Sequence, residues 1–217
     1  MTWERARRPE QKEQRRAAIL ESTAGLLRER ALSDISLSEI ARRSSVSKAN
    51  VYRYFESREA IFLELLLDHM LAMVGEFEGA MAPLAGEGDI AKVADAITKT
   101  LVAHPDFVEL FSVVSSVLEK NVGADAIRSF KRRVGGHFLR PINALHAALP
   151  ELSFLDSRRV LTHVLLYASG LWSAAHPAPH VAAVLDEPEF APLKIDYEET
   201  LRDHTAVVLR GILGRGK

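Results

Sequence analysis

The sequence predicts an all-α protein: a small N-terminal three-helix domain containing a helix-turn-helix, then a larger helical body, with about nine helices in total. Three observations carry this prediction. Apolar residues recur every three to four positions through most of the 217 residues, residues suited to capping helices stand where those patterns begin, and no pair of strand-like stretches appears.

From Glu10 to Arg30, Ile19, Leu20, Thr23, Leu26 and Leu27 mark one face of an amphipathic helix. Ser36 and Glu39 then have the spacing of a capping box, in which each side chain satisfies the other's backbone N–H. The short helix they open carries Leu37, Ile40 and Ala41 inward and fades at Ser44-Ser45. Ser47 can cap a third helix reaching Phe55, and Ser57 a fourth running from Arg58 to about Met81. Pro83, Gly86 and Gly88 end that helix. Asp89 can cap a fifth, with Ile90, Val93, Ala94, Ile97 and Leu101 on one stripe. Further helical patterns cover about Asp106–Lys120, Ala124–Leu149, Asp156–His176 and Ile195–Leu213, and Pro105 suits the first turn of the earliest of these. His176 to Lys194, with four prolines, reads as a long irregular stretch.

Composition narrows the class. With 47% hydrophobic and 26% charged residues and a formal net charge of -1, the chain lies in the ordinary globular range. The absence of cysteine excludes disulfide scaffolds, thiolate metal sites and thiol nucleophiles, and fits a reducing cytoplasm. The charged start, Met1 to Ala18, lacks the apolar stretch of a leader peptide. The mildly apolar run Val164–Ala175 is too short to span a bilayer, which takes about 20 residues. A soluble, cytoplasmic protein without membrane contact is expected. Charge is uneven: the first 60 residues hold 13 Lys and Arg against 9 Asp and Glu, and the remainder 15 against 20. That split fits a short element for a polyanion attached to a mildly acidic body.

The informative stretch is Ser36 to Phe55, SLSEIARRSSVSKANVYRYF. Two short helices around a tight turn, pivoting on Val46, have helix-turn-helix layout, with the second helix as reader. At 100° per residue Val51 and Phe55 point inward, leaving Lys48, Ala49, Asn50, Tyr52 and Arg53 outward. That set suits a major groove. Asn pairs with adenine N6/N7, Lys or Arg with guanine or phosphate, and Ala allows close approach. Tyr52 and Tyr54 can donate to phosphates, while Arg42, Arg43 and Arg58 add positive charge.

The run I-A-R-R-x-x-V-S-K-x-x-V-Y-R-Y-F-x-S-R-E-x-I-F, within Ser36–Leu66, resembles the DNA-binding domain of TetR-family transcriptional regulators. Carried over residue by residue, the resemblance places base-reading and phosphate-contacting roles on Lys48, Ala49, Asn50, Tyr52, Arg53 and Tyr54. Ser36, Ser47 and Arg58 match phosphate-contact positions. Two residues depart from the family pattern: Ser45 occupies the turn glycine, and Ala31 follows Arg30 where glycine is frequent.

The resemblance also implies a division into residues 1–56, which bind DNA, and 57–217, which bind an effector and dimerise. Dimerisation through the last two long helices would use Leu161, Leu165 and Ala168 with Tyr197, Leu201, His204 and Val208, unless those stripes are intrachain core. Candidates for an effector pocket are Met73, Phe77, Phe107, Phe111, Phe130, Phe138, Tyr167 and Trp172, with His104, His137, Arg140 and Asn143 as polar anchors. No cofactor or metal is expected. His137 and His146 lie on opposite sides of a helix, and His176 and His180 flank prolines. No P-loop, G-x-S-x-G, G-x-G-x-x-G or H-E-x-x-H is present, so no enzymatic activity is expected. The expectation is a homodimeric repressor on a palindromic double-stranded operator, released by a small molecule of unknown identity. The alternative is a DNA-binding protein regulated by a protein partner, without a small-molecule effector.

Overall fold

The computed structural model describes residues 9–214, so Met1–Arg8, part of the start read for a leader, lie outside the described residues. The described residues contain no strand and eleven α-helices: α1 (Pro9–Glu29), α2 (Leu37–Arg43), α3 (Lys48–Val51), α4 (Arg58–Met81), α5 (Ile90–Ala103), α6 (Pro105–Ser112), α7 (Ala124–His137), α8 (Leu139–Ala148), α9 (Phe154–Ala175), α10 (Pro179–Leu185) and α11 (Tyr197–Leu213). The caps stand where the sequence puts them. Ser36, Ser47 and Asp89 each accept a backbone N–H at the start of a helix, and Ser57 Oγ accepts the N–H of Ala60 at 3.1 Å.

Two helices beyond the expected nine come from identifiable causes. The pattern from Ala124 to Leu149 breaks after His137 because Pro141 has no N–H and its ring opposes the carbonyl four residues earlier, that of His137. Gly135 and Gly136 weaken the same turn. The stretch expected to be irregular contains α10, with Pro179 at its first position, and a 3-10 run at Pro188–Leu193. Conversely, α6 stops at Ser112. A π-turn at Val114–Leu118 and a 3-10 turn at Glu119–Asn121 follow, where the Val113-Val114 and Ser115-Ser116 pairs are poor helix formers.

The chain forms two compact units. One comprises residues up to Asp68 together with Val114–Arg132; the other comprises His69–Val113 and the chain from Arg133 onward. In the first unit α1 packs on α2 and α2 on α3, and Ile19, Leu26, Ile35, Ile40, Val51 and Phe62 are fully buried. At about 1.5–3 kcal/mol per buried aliphatic or aromatic side chain, this core orients the short helices, which are too brief to be stable alone. In the second unit α11 packs against both α5 and α9, with α6 and α8 also on α9. Val93, Ile97, Val160, Val164, Leu201 and Leu209 form its centre.

Candidate nucleic-acid interface

The reader is built from its entry. Ser36 Oγ accepts the N–H of Glu39 at 3.2 Å, and the Glu39 carboxylate accepts the N–H of Ser36 at 3.1 Å, closing both halves of the capping box. Donation from the Ser36 backbone, then from its hydroxyl, holds the Glu39 carboxyl below its usual range. Arg30 pairs with the same carboxylate at 2.6 Å. Ser36 is thus committed to its own helix start.

The turn between α2 and α3 has one unusual residue. Ser45 adopts φ 54°, the left-handed region in which a β-carbon is disfavoured, and it is the single non-glycine residue to do so among the described residues. Ala31, the other departure from glycine, has φ -60° and needs no glycine. Val46 follows Ser45, buries its side chain and donates its N–H to Ala41 at 3.0 Å, which locks the pivot.

The α-helical part of α3 is one turn long, yet its hydrogen bonding continues. Arg53 and Tyr54 donate to Asn50 and Val51 in the tighter i→i-3 pattern, and Phe55 donates to Val51 at 3.0 Å. Val51 and Phe55 point into the core, as helical spacing requires. Lys48, Ala49, Tyr52 and Arg53 are exposed, and Asn50 and Tyr54 half-buried. The side chains of Lys48 and Arg53 make no hydrogen bond or ion pair with any described residue. The surface they share offers two unpaired cations, a phenol and an amide around a small residue at which another surface can come close.

Two other cations near the reader, Arg43 and Arg58, are occupied. Arg43 donates to Glu29 through both terminal nitrogens, which raises the arginine's pKa and lowers the carboxyl's. Arg58, expected to meet phosphate, is half-buried and bonded within the chain. Its Nε and Nη2 donate to Glu59 at 3.0 and 2.9 Å and its Nη1 to the carbonyl of Ile35 at 2.6 Å. The physical reason is the neighbouring carboxylate, which holds the guanidinium against α2's entry. The sequence gives no sign of one further tie: Gly123 donates its N–H to Glu56, directly after the reader, across 67 residues.

The second unit brings some expected body residues together and separates others. Phe107 and Phe111 stack at 5.8 Å, Tyr167 stacks on His204 at 3.6 Å, and Trp172 stacks on His176 at 3.8 Å. Phe77 is buried, Met73 and His137 half-buried, and Phe138 exposed. His104 bonds Glu76 at 2.8 Å. Phe130 belongs to the first unit, where it is buried. Arg140 and Asn143 line a depression of about 420 Å³ together with Glu78, Met81, Ala82, Ala85, Ala144 and Ala147. None of the expected aromatic residues lines it.

Among the dimer candidates, Leu161, Leu165, Tyr197, His204 and Val208 are half-buried. Ala168 and Leu201 are 0% exposed, so both belong to the chain's own packing and offer a partner no surface. The outward faces carry different residues: Leu155 and Leu166 on α9, 48% and 60% exposed, and Val207 on α11, 64% exposed.

Comparison with known proteins gives concordant matches. Residues 19–65 match the family described as bacterial regulatory proteins, tetR family, and residues 67–216 match the tetracyclin repressor-like C-terminal domain. An uncharacterized HTH-type transcriptional regulator of Mycobacterium bovis, Mb2274c, is 28% identical over 179 residues, covering 80% of this chain and 86% of its own length. The HTH-type transcriptional regulator EthR of Mycolicibacterium smegmatis is 25% identical over 163 residues, covering 68% and 73%. The crystal structure of a TetR transcriptional regulator from Rhodococcus sp. RHA1 superposes with a TM-score of 0.55 at 18% identity, covering 92% of this chain and 97% of that one. Among the described residues no helix is long and apolar enough to cross a membrane.

Proposed function

The chain belongs to the TetR family of DNA-binding helix-turn-helix transcriptional regulators, and from that premise we propose that it is a homodimeric cytoplasmic repressor released from a palindromic operator by a small molecule. The carrying observation is the exposed face of α3, Lys48, Ala49, Tyr52 and Arg53 with Asn50 at its edge, backed by buried Val51 and Phe55. In this reading Asn50 and Lys48 contact base edges, Arg53, Tyr52 and Tyr54 contact phosphates, and the N-terminal ends at Ser36 and Ser47 lie along the backbone. Residues 1–56 bind DNA and residues 57–217 pair and sense. The protein acts by binding and carries out no catalysis.

Two reader helices must meet successive major grooves about 34–36 Å apart, which demands a dimer. Leu155 and Leu166 on α9 and Val207 on α11, with Gly170 and Gly211 exposed beside them, supply an apolar face for a four-helix contact. For the effector, the depression beside Arg140 and Asn143 supports the reading, since its volume falls among those of small-molecule sites, about 300–1,000 Å³. The continuous helix α4 begins at Arg58, next to the reader, and ends at Met81, which lines that depression. A ligand that favours one placement of α4 shifts operator affinity by linkage, about 5- to 150-fold for a coupling of about 1–3 kcal/mol.

A second reading has one observation in its favour. Val181, Val184, Leu193 and Ile195, in the connection from α9 to α11, are all exposed apolar residues, a surface suited to a protein partner. The experiment that separates the two is a thermal-shift screen of small apolar and cationic compounds, each hit then tested for operator release. Hits that stabilise the protein and release DNA uphold the effector reading; stabilisation without release favours the partner.

A further inference from the structure

We propose that Arg58 is the positioning residue of the reader, fastening the start of α4 to the entry of α2, and that it leaves the DNA phosphates to other side chains. Its planar fork is used on both edges. One edge, Nε and Nη2, donates to the Glu59 carboxylate at 3.0 and 2.9 Å; on the other, Nη1 donates to the Ile35 carbonyl at 2.6 Å, with the Ser33 carbonyl at 3.5 Å. The guanidinium lies over the buried Phe62 ring at 5.7 Å, and the side chain keeps only 26% of its exposure.

The place of these acceptors gives the bond its consequence. Ile35 immediately precedes Ser36, the cap of α2, and the Ile35 carbonyl lies outside the α2 ladder. Without Arg58 that carbonyl is left beside a buried side chain with no partner among the described residues, and the entry of α2 is held by its cap alone. Because α2 carries α3 through the Ser44–Ser47 turn, an error in the entry angle is passed directly to the reader. Glu59 keeps the fork oriented and cancels its charge, so the start of α4 presents a neutral pair where a free arginine would offer a cation. Lysine cannot substitute: its single nitrogen does not bond a carboxylate and a carbonyl on opposite sides in one plane.

The inference rests on DNA binding by α3, and the test separates the two. The probes are a duplex selected by the wild-type chain from a random-sequence pool, and poly(dI-dC) as non-specific DNA, each titrated across a salt series. Positioning predicts that Arg58→Met and Glu59→Gln each weaken the selected duplex about tenfold. Both leave poly(dI-dC) affinity within about twofold and the salt slope unchanged, and Arg58→Lys does not restore the selected duplex. A phosphate contact predicts the opposite sign for Glu59→Gln, which would free a cation and remove a negative charge, tightening both duplexes. It also predicts that Arg58→Met lowers the slope of log K against log salt by about 0.9 per contact, as Lys48→Met should. Tightening by Glu59→Gln, or a slope lowered by Arg58→Met as by Lys48→Met, overturns the proposal. If Arg58→Met does not fold, Glu59→Gln and Arg58→Lys decide the matter alone. A wild-type chain that enriches no duplex from the pool removes the premise and the proposal together.

Discussion

Replacing Ser45 by glycine should stabilise the protein, and the structure gives the size of the effect. Ser45 has φ 54°, where an L-residue sits about 1–2 kcal/mol above the right-handed region because its β-carbon crowds the following carbonyl. The side chain is exposed and makes no hydrogen bond with any described residue, so its removal loses no contact. Glycine relieves the crowding but loses more chain entropy on folding, about 0.5–1 kcal/mol. The balance is a gain of about 0.5–1 kcal/mol. At about 2–4 °C per kcal/mol for a chain of this size, Tm should rise by about 1–4 °C. The Val46 N–H bond to Ala41 at 3.0 Å demands the same backbone in both proteins, so operator affinity should stay within about twofold. Ser45→Val should move the other way, since a β-branched residue tolerates this φ least. Urea denaturation of the three proteins, with operator titration alongside, is the assay. A glycine variant less stable than wild type, or a valine variant more stable, would refute the strain argument.

Ser157 is fully buried on α9 and its Oγ has no hydrogen-bond partner among the described residues, so Ser157→Ala should raise stability by about 1 kcal/mol in chemical denaturation, a loss of stability being the contrary result. Glu39 has a folded pKa below its unfolded one, so its capping contribution is complete above the ordinary glutamate range near pH 4.3 and is lost as pH falls through the depressed value. The Tm gap between wild type and Glu39→Gln should therefore narrow from pH 7 to pH 3.5; a constant gap would show that the carboxylate is not the stabilising form. Leu166→Glu or Val207→Glu should give folded monomers by sedimentation at micromolar concentration, whereas dimers in both variants would place pairing elsewhere.

Much of the first unit was legible because its signals are local. Ser36 and Glu39, Ser47 and Ser57 there, like Asp89 in the second unit, act within four residues of themselves, and each caps the helix its spacing implies. The inward turn of Val51 and Phe55 follows from 3.6-residue periodicity alone. Long-range geometry was not legible. Nothing near Gly123 announces its bond to Glu56, and Arg58 reads as a free cation until Glu59 and the Ile35 carbonyl are placed around it. The α9 and α11 stripes were visible, but periodicity does not say which side of an apolar stripe meets the chain's own core. Ala168 and Leu201 lie on that side, and Leu166 and Val207 on the other. The aromatic residues of the body spread over both units, since an aromatic residue at helical spacing marks burial without marking a pocket.

Reading of base sequence by the exposed face of α3 is tested most directly by one comparison. Wild type and Asn50→Ala are titrated against the selected duplex, against variants of it with one base pair changed at a time, and against a scrambled duplex at fixed salt. Base reading by α3 predicts that Asn50→Ala binds the selected duplex about 1–3 kcal/mol more weakly per half-site, loses preference at one base position and binds the scrambled duplex as wild type does. Equal weakening on every duplex, or unchanged preference at every position, would contradict it.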